Sequence, residues 1–167
     1  MNYTMVKKLL LLIFSLVSSY SFSQTTGTVI GELNNGVYQL KENQEQLVKA
    51  FEWTFKDGTK VVEMEIQQFG NAYFLVAYCA YQGRKRMAGV DIDMVGIEFV
   101  LNEDAQFKIC SAVACENCRF FLENNKIVAC KCEETGTISN HCHYKSFAAT
   151  GFYANFMRAI KMAKDKN

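Results

Sequence analysis

The chain contains no proline, only two histidines and almost no net charge, and each shortage excludes a class of protein. Without proline it has no proline-rich linker, and no internal repeat or low-complexity tract divides its 167 residues. Its 18 basic and 17 acidic side chains balance, so it has no excess of positive charge that would indicate binding to nucleic acid or to an anionic membrane. These shortages favour a single domain whose partners are not polyanions.

Two common motifs of enzymes are also missing. The sequence has no serine, histidine and acid arrangement for nucleophilic catalysis and no glycine-rich phosphate loop. The basic run at residues 84–86 (Arg-Lys-Arg) follows Gly83 between two predicted strands, where a solvated turn is expected. The pattern favours a non-enzymatic binding or structural module without a cofactor, whose partner is an unknown protein or small molecule.

The N-terminus has the layout of a secretory signal peptide. Two lysines precede an apolar run at residues 9–17, which is well short of the roughly 20 residues of a membrane span. Residues 21–23 (Ser-Phe-Ser) are suited to a cleavage site, so we predict a signal peptide at residues 1–23 and a mature domain at residues 24–167. That domain is expected to be periplasmic or extracellular, and no later segment is long and apolar enough to span a membrane.

Hydrophobic periodicity predicts an α+β fold, an antiparallel β-meander with two helices packed on the sheet. Leu47, Val48 and Phe51 recur at helical spacing, which predicts an amphipathic helix at residues 41–55, in the N-terminal third. The same spacing predicts a C-terminal helix at residues 147–164. A closed meander barrel with an external helix is the alternative. Strands are predicted at residues 28–32, 37–40, 61–67, 72–82, 87–94, 97–101, 107–114, 119–122 and 127–132.

Two of these strands carry more specific predictions. From residue 61 the apolar period is two, which places Val62, Met64 and Ile66 on one buried face. Residues 72–82 are apolar and aromatic on both faces, which is typical of a central strand covered on two sides. Cys79 lies in that central strand and is expected to be a buried free thiol.

Six of the seven cysteines and both histidines fall within residues 110–143. Disulfides persist in exported proteins, and each disulfide that closes a loop of this size stabilises the fold by roughly 3 kcal/mol. Residues 133–146 contain little besides Ile138 and Tyr144 that could bury apolar surface, so this segment would fray without cross-links. We therefore predict a hairpin held by disulfides. The cysteines expected in these bonds are Cys110, Cys115, Cys118, Cys130, Cys132 and Cys142.

The register of that hairpin decides which cysteines meet. Two short strands flank a polar loop at residues 123–126. A two-residue loop places Cys118 opposite Lys131, whereas a three-residue loop places it opposite Cys130. In the second register Cys132 shares the face of Cys130, because residues i and i+2 always do. The register stays open at this stage, but we predict that Cys118 pairs with Cys130 or Cys132.

The same stretch supports a metal site as an alternative. Thiolates and imidazoles are ligands of tetrahedral zinc and of copper. The spacing departs from a standard zinc ribbon, because its second cysteine pair is C-x-C rather than C-x-x-C. The candidate ligands are Cys115, Cys118, Cys130, Cys132, His141 and His143.

A thiol–disulfide redox protein is a further alternative, since Cys115 and Cys118 are spaced as C-x-x-C. Such pairs are reactive when a helix N-terminus stabilises the first thiolate. Residues 120–122 (Phe-Phe-Leu) predict a strand after this pair instead of a helix. The sequence therefore favours disulfides over redox chemistry.

Overall fold

A computed structural model of the chain describes residues 27–41, 43–135, 138 and 141–165. The predicted signal peptide lies outside these residues. The described chain is mostly antiparallel β-structure with two helices. The strands are β1 (Thr28–Asn34), β2 (Val37–Leu40), β3 (Lys60–Phe69), β4 (Ala72–Tyr81), β5 (Arg84–Val95), β6 (Glu98–Leu101), β7 (Gln106–Ala112), β8 (Cys118–Glu123), β9 (Lys126–Cys132) and β10 (Cys142–Ala148). The helices are α1 (Gln44–Phe55) and α2 (Thr150–Lys164).

Eight strands form one sheet, and β8 and β9 form a separate two-stranded hairpin. The path of the sheet is β10-β7-β5-β6-β1-β2, and β4 joins β5 while β3 joins β4. The long β5 is central, because its residues 86–90 pair with β7 on one edge and with β4 on the other. The path ends at β10 and β2, so the described strands form an open sheet rather than the closed meander considered as the alternative.

Both helices pack on one face of the sheet. The ring of Phe51 in α1 lies 4.6 Å from that of Phe152 in α2 and 5.6 Å from that of Phe107 in β7, measured between centroids. These three rings are fully buried and form the centre of the main core. α1 ends at Phe55, because the next residue, Lys56, has a left-handed φ of 57° that stops the helix. No helix among the described residues is long and apolar enough to cross a membrane.

The predicted start of the C-terminal helix is wrong, because Phe147 belongs to β10. The ladder between β10 and β7 continues to residue 148, and the Phe147 ring stacks on that of its partner Phe107, with centroids 5.1 Å apart. α2 therefore begins at Thr150. Hydrophobic periodicity did not predict β10, because its last four residues are all exposed and apolar and polar residues do not alternate along the strand.

The β8–β9 hairpin covers the opposite face of the sheet. β4 shows the division, because Phe74 and Val76 pack beneath the hairpin whereas Leu75 and Ala77 pack beneath the helices. This confirms the prediction that residues 72–82 contain a central strand covered on both sides. The fold therefore has three layers, with the helices and the hairpin on either side of the sheet.

Two glycines let the hairpin lie close to the sheet. Phe120 in β8 is only 4% exposed, and a Cβ built on Gly89 in β5 would lie 3.0 Å from its Cε2 atom. At the hairpin tip, Asn125 lies against Gly70, where a Cβ would fall 1.8 Å from Asn125 Oδ1. Any side chain at either glycine would lift the hairpin or displace its contact residue.

β3 departs from the predicted alternation at its start. Met64 and Ile66 are buried as predicted, at 8% and 5% exposed, but Val62 is 73% exposed. The ladder with β4 shifts register between Val61 and Glu63, so a bulge turns Val62 outward. The prediction that Val62 lies on the buried face is therefore wrong.

Candidate functional site

The ladder of the hairpin determines where its cysteines lie. The loop is a two-residue turn at residues 124–125, with left-handed φ values of 50° and 62°. A bulge later in the ladder shifts the register by one residue, so Cys118 lies opposite Cys132. Loop length alone placed Cys118 opposite Lys131 or Cys130, and both registers are wrong because they assume a ladder without a bulge.

Three disulfides fasten the hairpin to its surroundings, which confirms the prediction of a disulfide-held hairpin. Their Cα separations of 5.7, 5.9 and 5.8 Å are typical of disulfides. Cys79 is 4% exposed and outside the three bonds, as predicted. The bonds are Cys110–Cys130, Cys115–Cys132 and Cys118–Cys142.

The predicted partner of Cys118 is wrong. Cys118 bonds to Cys142 rather than to Cys130 or Cys132, because β10 lies beside β7 and brings Cys142 beneath the hairpin. No feature of the sequence had indicated β10, so spacing offered no signal for this pair. Cys130 is bonded to β7 through Cys110, and the hairpin is thus attached to two different strands of the sheet.

Two of the disulfides lie side by side. The Sγ atoms of Cys115, Cys118 and Cys142 lie within 4.8 Å of one another. The Sγ atoms of Cys115 and Cys132 also lie within 4.8 Å of a carboxylate oxygen of Glu134. Four sulfurs and one carboxylate therefore come together at the end of the hairpin opposite its loop. We call these five residues the sulfur cluster.

The sulfur cluster contains only part of the predicted metal-ligand set. Cys130 is bonded elsewhere, and the exposed His141 and His143 belong to neither grouping within the described residues. Sequence spacing had not pointed to Cys142 or Glu134, which reach the cluster through β10 and the end of β9. The predicted ligands that the structure brings together are Cys115, Cys118 and Cys132.

Cys115 and Cys118 are not bonded to each other. Each forms a disulfide with a different partner, Cys132 and Cys142 respectively. Cys118 is the first residue of β8, so a strand follows the C-x-x-C spacing. The helix dipole that stabilises the thiolate of redox pairs does not act here, and the geometry favours a structural role for both cysteines.

A groove of about 700 Å³ runs between β8 and the exposed face of β3, β4 and β5. Its floor contains the side chains of Phe69, Tyr78 and Met87, and its wall contains Cys118 and Phe120. This volume falls within the range of natural small-ligand sites. The disulfide of Cys118 therefore holds one wall of the groove in place.

The groove carries charges of both signs on its rim. Arg119 and Glu133 form an ion pair with each other. Glu63 and Lys85 are exposed and make no ion pair within the described residues. A ligand lying in the groove would therefore meet one unpaired charge of each sign.

Tyr78 is the main polar group of the floor. Its hydroxyl donates a hydrogen bond to Glu65 Oε1 at 2.9 Å and accepts one from Gln67 Nε2 at 2.7 Å. Burial raises the pKa of Tyr78, and the neighbouring Glu65 carboxylate raises it further. The hydroxyl therefore keeps its proton at neutral pH.

β8 presents an unpaired backbone edge to the groove. The Glu133 N–H donates to Asn117 O at 2.9 Å, and the ladder alternates from there, so Arg119 also bonds to β9. The backbone groups of Cys118 and Phe120 consequently point away from β9. Within the described chain, β9 is the sole strand that pairs with β8. An extended segment could hydrogen-bond to this edge.

Arg86, which was predicted to lie in a solvated turn, is mostly buried and contacts neighbouring side chains. Its side chain is 13% exposed, forms an ion pair with Asp57 at 2.7 Å and lies 4.5 Å from the Tyr81 ring centroid. Burial raises the pKa of Asp57, but hydrogen bonds from Thr59 and Arg86 outweigh it and lower the pKa below its usual value. Nothing in the sequence distinguished Arg86 from its basic neighbours.

No protein-family model, curated protein or solved structure matches this chain. The function must therefore be inferred from the chain's own residues and geometry.

Proposed function

We propose that this chain is an exported, disulfide-held binding module that takes an extended polypeptide segment into the groove beside β8. The observation that carries the proposal is the coincidence of the groove with the unpaired edge of β8. The predicted signal peptide and the three disulfides support export to an oxidising compartment.

The chemistry of the groove favours a polypeptide over a rigid small molecule. The backbone groups of Cys118 and Phe120 offer hydrogen bonds to any strand that lies alongside, independent of its sequence. The apolar floor can take one side chain of that strand, since alternate side chains point to the same face. Glu63 and Lys85 would then select flanking residues of opposite charge.

The disulfides support binding by fixing the wall of the groove. A two-stranded hairpin alone is marginally stable in water. Here Cys118 and Cys132 hold its open end while Cys130 holds its middle, so β8 is ordered before a ligand arrives. The entropic cost of ordering the site is therefore taken during folding rather than during binding.

The proposal can be tested by selecting short peptides from a phage-displayed library against the immobilised, oxidised protein. Ala80 is exposed on the groove floor, so Ala80→Arg should fill the groove. Val95 is 46% exposed and lies outside the groove lining, so Val95→Arg is the matched control for charge and size. We expect selected peptides to lose affinity about tenfold or more on Ala80→Arg and to keep it on Val95→Arg.

Hydrogen exchange gives the second readout. The amide protons of Cys118 and Phe120 should exchange more slowly once a selected peptide is bound, because they become paired. Peptides that bind both variants equally, or that protect amides on another strand and not these two, would show that the groove is not the binding site.

A further inference from the structure

The four cysteines of the sulfur cluster form two neighbouring disulfides. We propose that reduction by a dithiol converts the sulfur cluster into a tetrahedral zinc site whose ligands are Cys115, Cys118, Cys132 and Cys142. This site takes a different ligand from the groove and shares Cys118 with the groove wall. Its test measures metal binding and does not require that a peptide binds in the groove.

The positions of the sulfurs suit one ion. Tetrahedral zinc with Zn–S bonds of about 2.3 Å requires sulfurs roughly 3.8 Å apart. Three of the four Sγ atoms already lie within 4.8 Å of one another. Cys132, the fourth, lies opposite Cys118 at a non-hydrogen-bonded position of the ladder, where side chains approach closely. Side-chain rotation alone can therefore complete the set.

Glu134 is a second feature that favours a cation. Its Oε2 atom lies 2.6 Å from Cys115 Sγ and 2.7 Å from Cys132 Sγ, and its Oε1 accepts a hydrogen bond from the Asn117 N–H at 3.0 Å. A carboxylate held against sulfur increases the negative potential at the place where a metal ion would bind. Zinc accepts both sulfur and carboxylate ligands.

The reduction follows ordinary exchange chemistry. Cys115 is half-exposed whereas its bonded partner Cys132 is buried, so a dithiol attacks Cys115 Sγ and expels the Cys132 thiolate. The second thiol of the reductant then releases Cys115 and leaves as a cyclic disulfide. The Cys115 thiolate can attack Cys142 Sγ within 4.8 Å and free Cys118, and a second dithiol completes the reduction.

The electrons and protons balance over these exchange steps. Two protein disulfides and two dithiols give four protein thiols and two oxidised reductant molecules. Binding of Zn²⁺ by the four thiols releases four protons and leaves a site of charge minus two. The Cys110–Cys130 bond is more protected, because Cys110 is fully buried and Cys130 is 2% exposed. That bond keeps the hairpin attached to β7 during the exchange.

The test is a Cd²⁺ titration of the oxidised protein and of protein treated with a dithiol and desalted without oxygen. Cd²⁺ replaces Zn²⁺ at thiolate sites and gives a sulfur-to-metal charge-transfer band. We expect one equivalent to bind to the reduced protein, no band from the oxidised protein, and competition by Zn²⁺. Far-ultraviolet circular dichroism should show a folded chain in the Cd²⁺-bound state.

Two double variants separate this site from binding by thiols in general. Cys118→Ser with Cys142→Ser removes two cluster ligands and one disulfide, and should lower Cd²⁺ affinity by more than about 100-fold. Cys110→Ser with Cys130→Ser removes the same number of thiols but keeps all four cluster ligands, so it should lower the affinity much less than the first variant does. Equal losses in both variants, no band in the reduced protein, or a metal-bound chain that is unfolded would each overturn the proposal.

Discussion

The contact between Phe120 and Gly89 predicts that the effect of Gly89→Ala on stability changes sign when the Phe120 ring is removed. Gly89 lies on β5 directly below the Phe120 ring, and its φ is not left-handed. Adding a methyl group at Gly89 should therefore destabilise the protein while the Phe120 ring is present. The same methyl group should stabilise the protein when Phe120→Leu has removed the outer part of the ring.

The magnitudes follow from the distances. The Cβ of Ala at position 89 would lie 3.0 and 3.2 Å from Phe120 Cε2 and Cζ, closer than ordinary van der Waals contact. The ring cannot move freely, because the Cys118 disulfide fixes the strand two residues away. Overpacking of this kind costs about 1–3 kcal/mol. Without the clash, Gly→Ala at a permitted backbone conformation stabilises by about 0.4–1 kcal/mol through the unfolded state.

The assay is guanidinium unfolding of four oxidised proteins: wild type, Gly89→Ala, Phe120→Leu and the double variant. The two substitutions should couple by about 1.5–4 kcal/mol, with Gly89→Ala raising the midpoint only in the Phe120→Leu background. Equal effects of Gly89→Ala in both backgrounds would refute the contact, and with it the packing of the hairpin on β5.

Two further predictions concern buried ionisable groups. Burial raises the pKa of Cys79 from an ordinary value of 9.0 to about 12, so the unfolded chain ionises first and stability should fall as pH rises between these values. Compared with Cys79→Ala, the wild type should show an additional slope approaching about 1.4 kcal/mol per pH unit in urea unfolding, and an equal slope in both would contradict the burial. Lys108 is 7% exposed, is paired with Asp91 and lies over the Phe74 ring. Asp91→Asn should lower the free energy of unfolding by about 1–3 kcal/mol because it leaves the Lys108 ammonium unpaired, whereas Lys108→Met should lower it less. Thermal unfolding that ranks the two variants in the opposite order would refute this account.

The parts of the fold that could be predicted are those with a clear hydrophobic period. β4 is buried on both faces, so its continuous apolar run was sufficient to identify a central strand. β10 has one buried residue among seven and is held by its ladder to β7, which is a non-local interaction. Local sequence patterns carry no information about that ladder, so β10 and the true start of α2 were missed.

The prediction of the disulfide pairing failed for a related reason. Which six cysteines form bonds followed from the predicted export and from composition, but their pairing depends on neighbours in three dimensions. A single bulge in the hairpin and one unpredicted strand changed the partner of Cys118 from the hairpin itself to Cys142. Bulges depend on local backbone geometry that residue types specify only weakly, so a register derived from loop length is sensitive to one inserted residue.

The location of the disulfides indicates what they contribute. The main core beneath the helices contains Cys79 but none of the three bonds, and a chain of this size can bury enough surface without cross-links. Two bonds instead attach the two-stranded hairpin to β7 and β10, and the third, Cys115–Cys132, attaches the turn before β8 to β9. With loops of 20, 17 and 24 residues, each bond alone contributes about 3 kcal/mol. Because the loops overlap, each bond shortens the loop that the next one closes, so their combined contribution is smaller than the sum. Overlapping bonds of this kind add little global stability for their number, but they fix the position of β8 from several directions. Their arrangement is therefore better suited to holding one wall of the groove than to stabilising the fold.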